Sequence, residues 1–269
     1  MKLAICFGGT YEMYFNHARV IDYLSNFFNE KNDLFICGSW QMKIFFAYGP
    51  RDSEVLRHSY KHIREHGETP PPPAERVVRE IKQYNPDIVL FFGIAGGINA
   101  GLNKIYFPTR FYEYYFDKPH MIHTQNVSPS REIRIKNLLG NDNVRVLTTN
   151  FAFSKHSTGA GEDMNLWSKI WSQVERDLKE NGLSLHGKQA ADKWAELKFY
   201  NEFLPRLKSF GDLIDMESYA FARAFKNKIG IMLQVSDVIG EIDLTFEREH
   251  VDWEKFNQSV VKSIKEITS

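Results

Sequence analysis

Residues 87–94, DIVLFFGI, are apolar without alternation after the opening Asp87. A strand with one face in water would show a polar residue at every second position, so this run reads as a strand buried on both faces. Such strands belong to sheets covered by helices on either side. The preceding segment, AERVVREIKQY at 74–84, places Val77, Val78 and Ile81 along one helical side, and Pro86 separates the two. A helix feeding a buried strand is the unit of a doubly wound α/β sheet.

The same pattern runs through most of the chain. KLAICF at 2–7 is a short buried strand that ends at Gly8 and Gly9, with a helix after it; further strands are expected at 33–37 and 42–48. A polar helical stretch at 52–66 ends in the extended spacer Pro70 to Pro73. Strand signals at 104–116 and 120–124, a helix near 130–139 and the strand NVRVLTTN at 143–150 follow. Residues 155–210, charged and Trp-rich with helical spacing in LWSKIWSQVERDLKE, read as a helical insertion over the core. A helix at 215–227, the strand IGIMLQVSD at 229–237 and an amphipathic helix at 252–267 close the chain. The expected architecture is a three-layer α/β/α domain around a mixed central sheet, spanning residues 1–269, with 155–210 inserted.

Composition narrows the partners. A content of 43% hydrophobic residues over 269 positions supplies one large core, and Lys+Arg and Asp+Glu both total 34. No broad positive field exists to attract a polyanion, so nucleic acid is not an expected partner. Cys6 and Cys37 sit in apolar strand-like runs and read as reduced, buried thiols. No leader or membrane-spanning apolar run is apparent, which points to a soluble, cytoplasmic protein.

Two carboxylates stand where chemistry is done in such folds. Asp237 ends the apolar strand IMLQVSD, and ligands of open α/β sheets bind at the carboxyl ends of strands. Glu217 lies in DMESYAFARAF, at the expected first turn of a helix, where the helix dipole favours a negative charge. Taken alone, a strand-end Asp is more often only a turn or helix cap.

Together, DMESYA, LQVSD and FFGIAGGINAGL at 92–102 resemble the superfamily of nucleoside phosphorylases and methylthioadenosine/S-adenosylhomocysteine nucleosidases. The resemblance covers about the first fifteen residues, 87–110 and 211–240. It implies cleavage of the N-glycosidic bond of a purine nucleoside, plain or 5′-modified, or of a nucleotide, with no metal or organic cofactor and with assembly as a homodimer. Met216 and Glu217 would contact the sugar, Glu217 accepting from its hydroxyls. Asp237, in the Ser236–Asp237 pair, would donate a proton toward purine N7. Ala95, Gly96 and Gly97 would let backbone approach base and sugar, since side chains there would block it. In VLTTNFAFS, Phe153 would stack on the base and Ser154 offer backbone groups to its edge, with a core role for Phe151 and Phe153 as the alternative.

Phosphorylases of the superfamily carry an Arg in the first loop and a hydroxyl residue in the central turn. This chain has Glu12 and Ile94 there. A carboxylate repels phosphate, whereas Glu12 matches the acid with which nucleosidases activate water, so the expected reaction is hydrolysis. The alternative for Glu12 is an idle acid near a helix N-terminus. Nucleosidases usually carry an Arg four residues before the Asp, and this chain has Leu233. A phosphate-dependent phosphorylase and a nucleoside sensor without turnover are the competing readings.

Other clusters are set aside. His58, His62 and His66 recur at every fourth position but lack a completing carboxylate or Cys, so a solvated face is expected rather than a metal site. Arg110, His17, Lys155 and His156 are candidates for a phosphate group if the substrate is a nucleotide.

Overall fold

The computed structural model describes residues 1–8, 21–32, 34–47, 74–115, 127–149, 164–240 and 251–269, with the side chains of 164–170 and 188 left aside. Its centre is the strand foreseen from the apolar run, β5 (Ile88–Gly97), buried at nine of its ten positions. β1 (Lys2–Phe7) and β11 (Ile229–Val238) flank it in parallel. The sheet is mixed. From its two ends it comprises β2 (Asn29–Lys31), β3 (Leu34–Cys37), β4 (Trp40–Phe46), β1, β5, β10 (Leu213–Asp215), β9 (Asp142–Thr148), β7 (Pro108–Glu113) and β8 (Ile133–Arg134). β6 (Ile105–Tyr106) lies on β11.

Alternation along the strands supplies two apolar layers. Leu3, Ile5 and Phe7 of β1, with Leu90, Phe92 and Ile94 of β5, point to one face. There they meet α6 (Trp253–Thr268), whose Phe256, Val260, Val261 and Ile264 form a single stripe. Asp252 caps α6 by accepting from the Lys255 N–H at 2.9 Å. Ala4, Cys6, Val89 and Phe91 point the other way, against α1 (Ala74–Tyr84) and α5 (Ser218–Phe225). α1 uses Val77, Val78 and Ile81 for this contact, as its spacing foretold. The three-layer α/β/α arrangement around a mixed sheet is therefore the fold observed. Among the described residues no helix is long and apolar enough to cross a membrane, and Cys6 and Cys37 are unpaired thiols.

Within the stretch 155–210 the described residues are helical: α2 (Met164–Glu180), α3 (Gly187–Lys198), a π-helical turn (Phe199–Phe203) and α4 (Leu204–Phe210). α2 and α3 share a small core of their own around Val174, Leu178 and Trp194. The π turn and α4 join the main body instead, packing Phe199, Phe203, Leu204 and Leu207 with Ile98, Leu147, Ile214 and Ile239.

The helix expected near 130–139 does not form. Residues 132–136 alternate polar and apolar, and Ile133 pairs with Phe111 to make the short strand β8. Arg110 and Arg134 both bond the Glu132 carboxylate, which holds this edge extended. Asn137 then pins the chain to the sheet. Its amide donates to Pro108 O (2.9 Å) and Ile231 O (2.7 Å), and its oxygen accepts from the Leu139 and Ile231 N–H groups, each at 3.0 Å. These are four bonds at a buried position. Asn137→Ala is expected to lower the unfolding free energy by about 3–5 kcal/mol, measured by urea denaturation, because it orphans buried backbone groups of two strands.

Candidate functional site

The site follows from how β5 shares its edges. β11 occupies one edge from Val89 to Gly97. The other edge is divided: β1 runs parallel against Ile88–Phe92, extended by the Gly8 N–H to Phe92 O bond at 2.8 Å, and β10 runs antiparallel against Gly96 and Gly97. The carboxyl ends of β1 and β10 therefore converge on Gly93–Ala95. On this edge no described strand pairs with those three residues. A reversal of strand direction that leaves a crevice at strand ends is where ligands of α/β sheets bind.

Met216 and Glu217 form the corner leaving β10 at this crevice. Glu217 is buried, and its carboxylate accepts from the Met216 N–H at 3.3 Å. Its charge is felt at the end of β1: the Cys6 thiol is pushed well up, first by burial and then by Glu217. The helix expected from 215 begins only at Ser218. Glu217 is the residue before it, with φ −132° and ψ −36°, and makes no capping bond of its own. Asp215 does the capping instead, its Oδ2 accepting from the Ser218 N–H at 3.1 Å.

Asp215 is the residue that sequence reasoning passed over. It is buried at the end of β10, and its Oδ1 accepts from Thr148 Oγ1 of β9 at 2.7 Å. Thr148 Oγ1 in turn accepts from the Tyr219 N–H at 3.0 Å and lies 3.1 Å from Ser218 Oγ. Burial raises the Asp215 carboxyl from 3.8 to about 6; the bonds from Thr148, Ser218 and the Glu217 backbone partly oppose this by favouring the charged form. The available signal was residue type alone, an Asp close to the expected helix start, where short polar side chains cap.

Asp237 reaches its place through a β-bulge. The β5–β11 register runs Val235 to Ala95 and then Asp237 to Gly96, so Ser236 is the extra residue. Val235 packs in the core beneath α1 and α5. Without the bulge Asp237 would share that face; the inserted residue sends it to the opposite one. There its Oδ2 lies 3.3 Å from where a Cβ on Gly96 would be, beside Ile214 Cγ2 and Ile239 Cδ1. Ser236 Oγ donates to Asp237 Oδ1 at 2.7 Å and lies 3.4 Å from Ala95 O.

The glycines of the crevice are sterically required. A Cβ on Gly97 would land on the Ala100 carbonyl oxygen, and one on Gly96 would press Ile214 and Ile239 at 3.0 Å. Ile94 and Leu233 are buried on opposite faces, Ile94 toward α6 and Leu233 toward α1 and α5. Leu233 has no exposure, so an Arg there would bury an uncompensated charge. Arg110 bonds Glu132 and Tyr112. The structure thus gathers Ala95, Gly96, Gly97, Met216, Glu217, Ser236 and Asp237 along the two edges of one strand end. Glu12, His17, His58, His62, His66, His120, His123, Phe153, Ser154, Lys155 and His156 lie outside the described residues.

No family model matches the chain, and no curated relative does. Solved structures do match. The native futalosine hydrolase of Helicobacter pylori strain 26695 is 12% identical at a TM-score of 0.50, covering 99% of this chain and 97% of its own. The 5′-methylthioadenosine/S-adenosyl homocysteine nucleosidase of Campylobacter jejuni is 13% identical at 0.49, covering 99% of each chain. A Chlamydia trachomatis MTAN bound to MTA is 14% identical at 0.47, covering 99% and 97%. At these identities, the likeness to the futalosine hydrolase is one of fold.

The raised carboxyl of Asp215 makes a signed stability prediction. The folded protein binds this proton more tightly than the unfolded chain, so the contribution is complete below pH 4 and is lost as pH rises toward about 6. The size is up to about 3 kcal/mol, at 1.36 kcal/mol per pH unit. The stability of Asp215→Asn relative to wild type, from denaturation midpoints, is expected to rise between pH 4 and 7.

Proposed function

We propose that this protein hydrolyses the N-glycosidic bond of a purine nucleoside, plain or 5′-modified, or of a nucleotide, to free base and ribose product, and that it belongs to the nucleoside phosphorylase and nucleosidase superfamily. One observation carries the reading: Glu217 follows β10 at one edge of the end of β5, and the bulge-directed Asp237 lies on β11 at the other. The fold shared with a protein named futalosine hydrolase agrees with it as an analogy of fold.

In this reading Asp237, as the acid, gives its proton to purine N7 while the C1′–N9 bond breaks and its electron pair passes to the base. Ser236, bonded to Asp237, fixes the carboxyl's orientation. Glu217 and Met216 hold the sugar, the Glu217 charge favouring the developing oxocarbenium ion. Water adds to C1′ and yields a proton to Glu12, the general base. Phe153 and Ser154 take the base. The apolar Ile94, where phosphorylases carry a hydroxyl residue, and the acidic Glu12 favour water over phosphate as the acceptor. Assembly as a homodimer and a cytoplasmic location belong to the same proposal.

The protein is expected to release a free base from at least one member of a panel of purine nucleosides and nucleotides, followed by chromatography, at a rate independent of phosphate. Strict dependence on phosphate would make it a phosphorylase; tight binding with no release would make it a sensor. Asp237→Asn is expected to retain substrate binding while kcat falls by about a hundredfold or more, the usual contribution of a general acid.

A further inference from the structure

The reaction proposed above gives Asp215 no step, yet this carboxylate is buried in the corner that carries Glu217. A buried charge whose ionisation works against folding calls for a reason other than stability. Its bonds supply one. Thr148 Oγ1, Ser218 N–H and the Glu217 backbone N–H all donate to it. Because Thr148 gives its one proton to Asp215, its oxygen is left to accept from the Tyr219 N–H and, across 3.1 Å, from Ser218 Oγ. The three donors to Asp215 thus meet a carboxylate that donates nothing in return.

The backbone of the same residue continues the tie. Asp215 O accepts from the Thr149 N–H at 2.8 Å and lies 3.3 Å from Thr149 Oγ1. Asp215 therefore joins Thr148 at the end of β9, and Thr149 after it, to the start of α5 and to the Glu217 backbone.

We propose that Asp215 is a positioning residue that locks the end of β9 and the Met216–Glu217 corner into one rigid unit, so that the sugar contact is held in place. The role rests on the sugar contact proposed for Glu217. A carboxylate is needed because it only accepts. An Asn at 215 keeps the shape but brings two N–H donors. If they face Ser218 N–H, donor meets donor; if they face Thr148, the hydroxyl must turn round and the order of the cluster reverses. The titratable groups around Asp215 are Glu217 on its own corner and the Tyr115 phenol, which burial and nearby carboxylates including Asp215 push up and so keep neutral.

The test compares wild type, Asp215→Asn, Thr148→Val and Asp237→Asn, measuring kcat and KM for base release from the best substrate of the panel together with thermal midpoints at pH 7.5. Asp215→Asn is expected to unfold no earlier than wild type while kcat/KM falls about tenfold or more, the scale of a small misplacement of a contact. Activity lost without stability separates positioning from a structural role. Thr148→Val, which removes one donor, should lower kcat/KM in the same direction and decides the matter if Asp215→Asn does not fold. A kcat/KM within twofold of wild type for the folded Asp215 or Thr148 variant overturns the proposal, as does a loss of activity that merely follows a loss of stability. If Asp237→Asn is inactive while Asp215→Asn is unaffected, only this proposal falls. If wild type binds adenosine but releases no base, the hydrolase reading falls and the role of Asp215 is read from adenosine affinity, expected about tenfold weaker in Asp215→Asn. A wild type that neither binds nor cleaves any of the panel removes both.

Discussion

The rest of the structure depends on the complete burial of β5. Its side chains alternate between two apolar layers, so both faces must be covered, and helices α1 and α5 cover one while α6 covers the other. Its backbone polar groups need partners as well, since unpaired N–H and C=O groups in such an interior are costly. β11 satisfies one edge throughout. The other edge is shared by two strands arriving from opposite directions, and their meeting point creates the crevice. The site is thus a product of how one buried strand is paired.

Two local departures from regularity then place the acids. One extra residue in β11, Ser236, moves Asp237 from the face of Val235 to the face of Gly96. One capping bond from Asp215 lets α5 begin at Ser218, leaving Glu217 outside the helix with its carboxylate unspent on capping. The helical stretch before β10 supports both. Its π turn and α4 pack on Ile214 and Ile239, the same two side chains that press Gly96 beside Asp237. Tyr200 also donates to Gly240 O at 3.0 Å, just beyond β11, where Gly240 adopts a φ of +84°.

Periodicity made the core strands and the flanking helices legible, because burial on both faces leaves an uninterrupted apolar run and a helix on a sheet leaves a stripe. It misread 130–139 because the alternation at 132–136 spans only five residues, and pairing with β7, with the bonds of Glu132 and Asn137, decided its form. The resemblance pointed to Asp237 and Glu217 as a pair, but neither the bulge nor the displaced cap is visible in residue spacing. Asp215 looked like any acid near a helix start. Its burial and its bond to Thr148 depend on a strand 67 residues away.

By itself the sequence determined which segments must be buried and hence the α/β layering, and through its motifs which two carboxylates belong together. Hydrophobic burial is additive along a chain and leaves a periodic record in it. The tertiary structure decided the direction in which β10 meets β5, the face on which Asp237 emerges and the environment that raises the Asp215 carboxyl. Those properties come from hydrogen-bond pairing and desolvation between segments far apart in sequence, which no local pattern encodes.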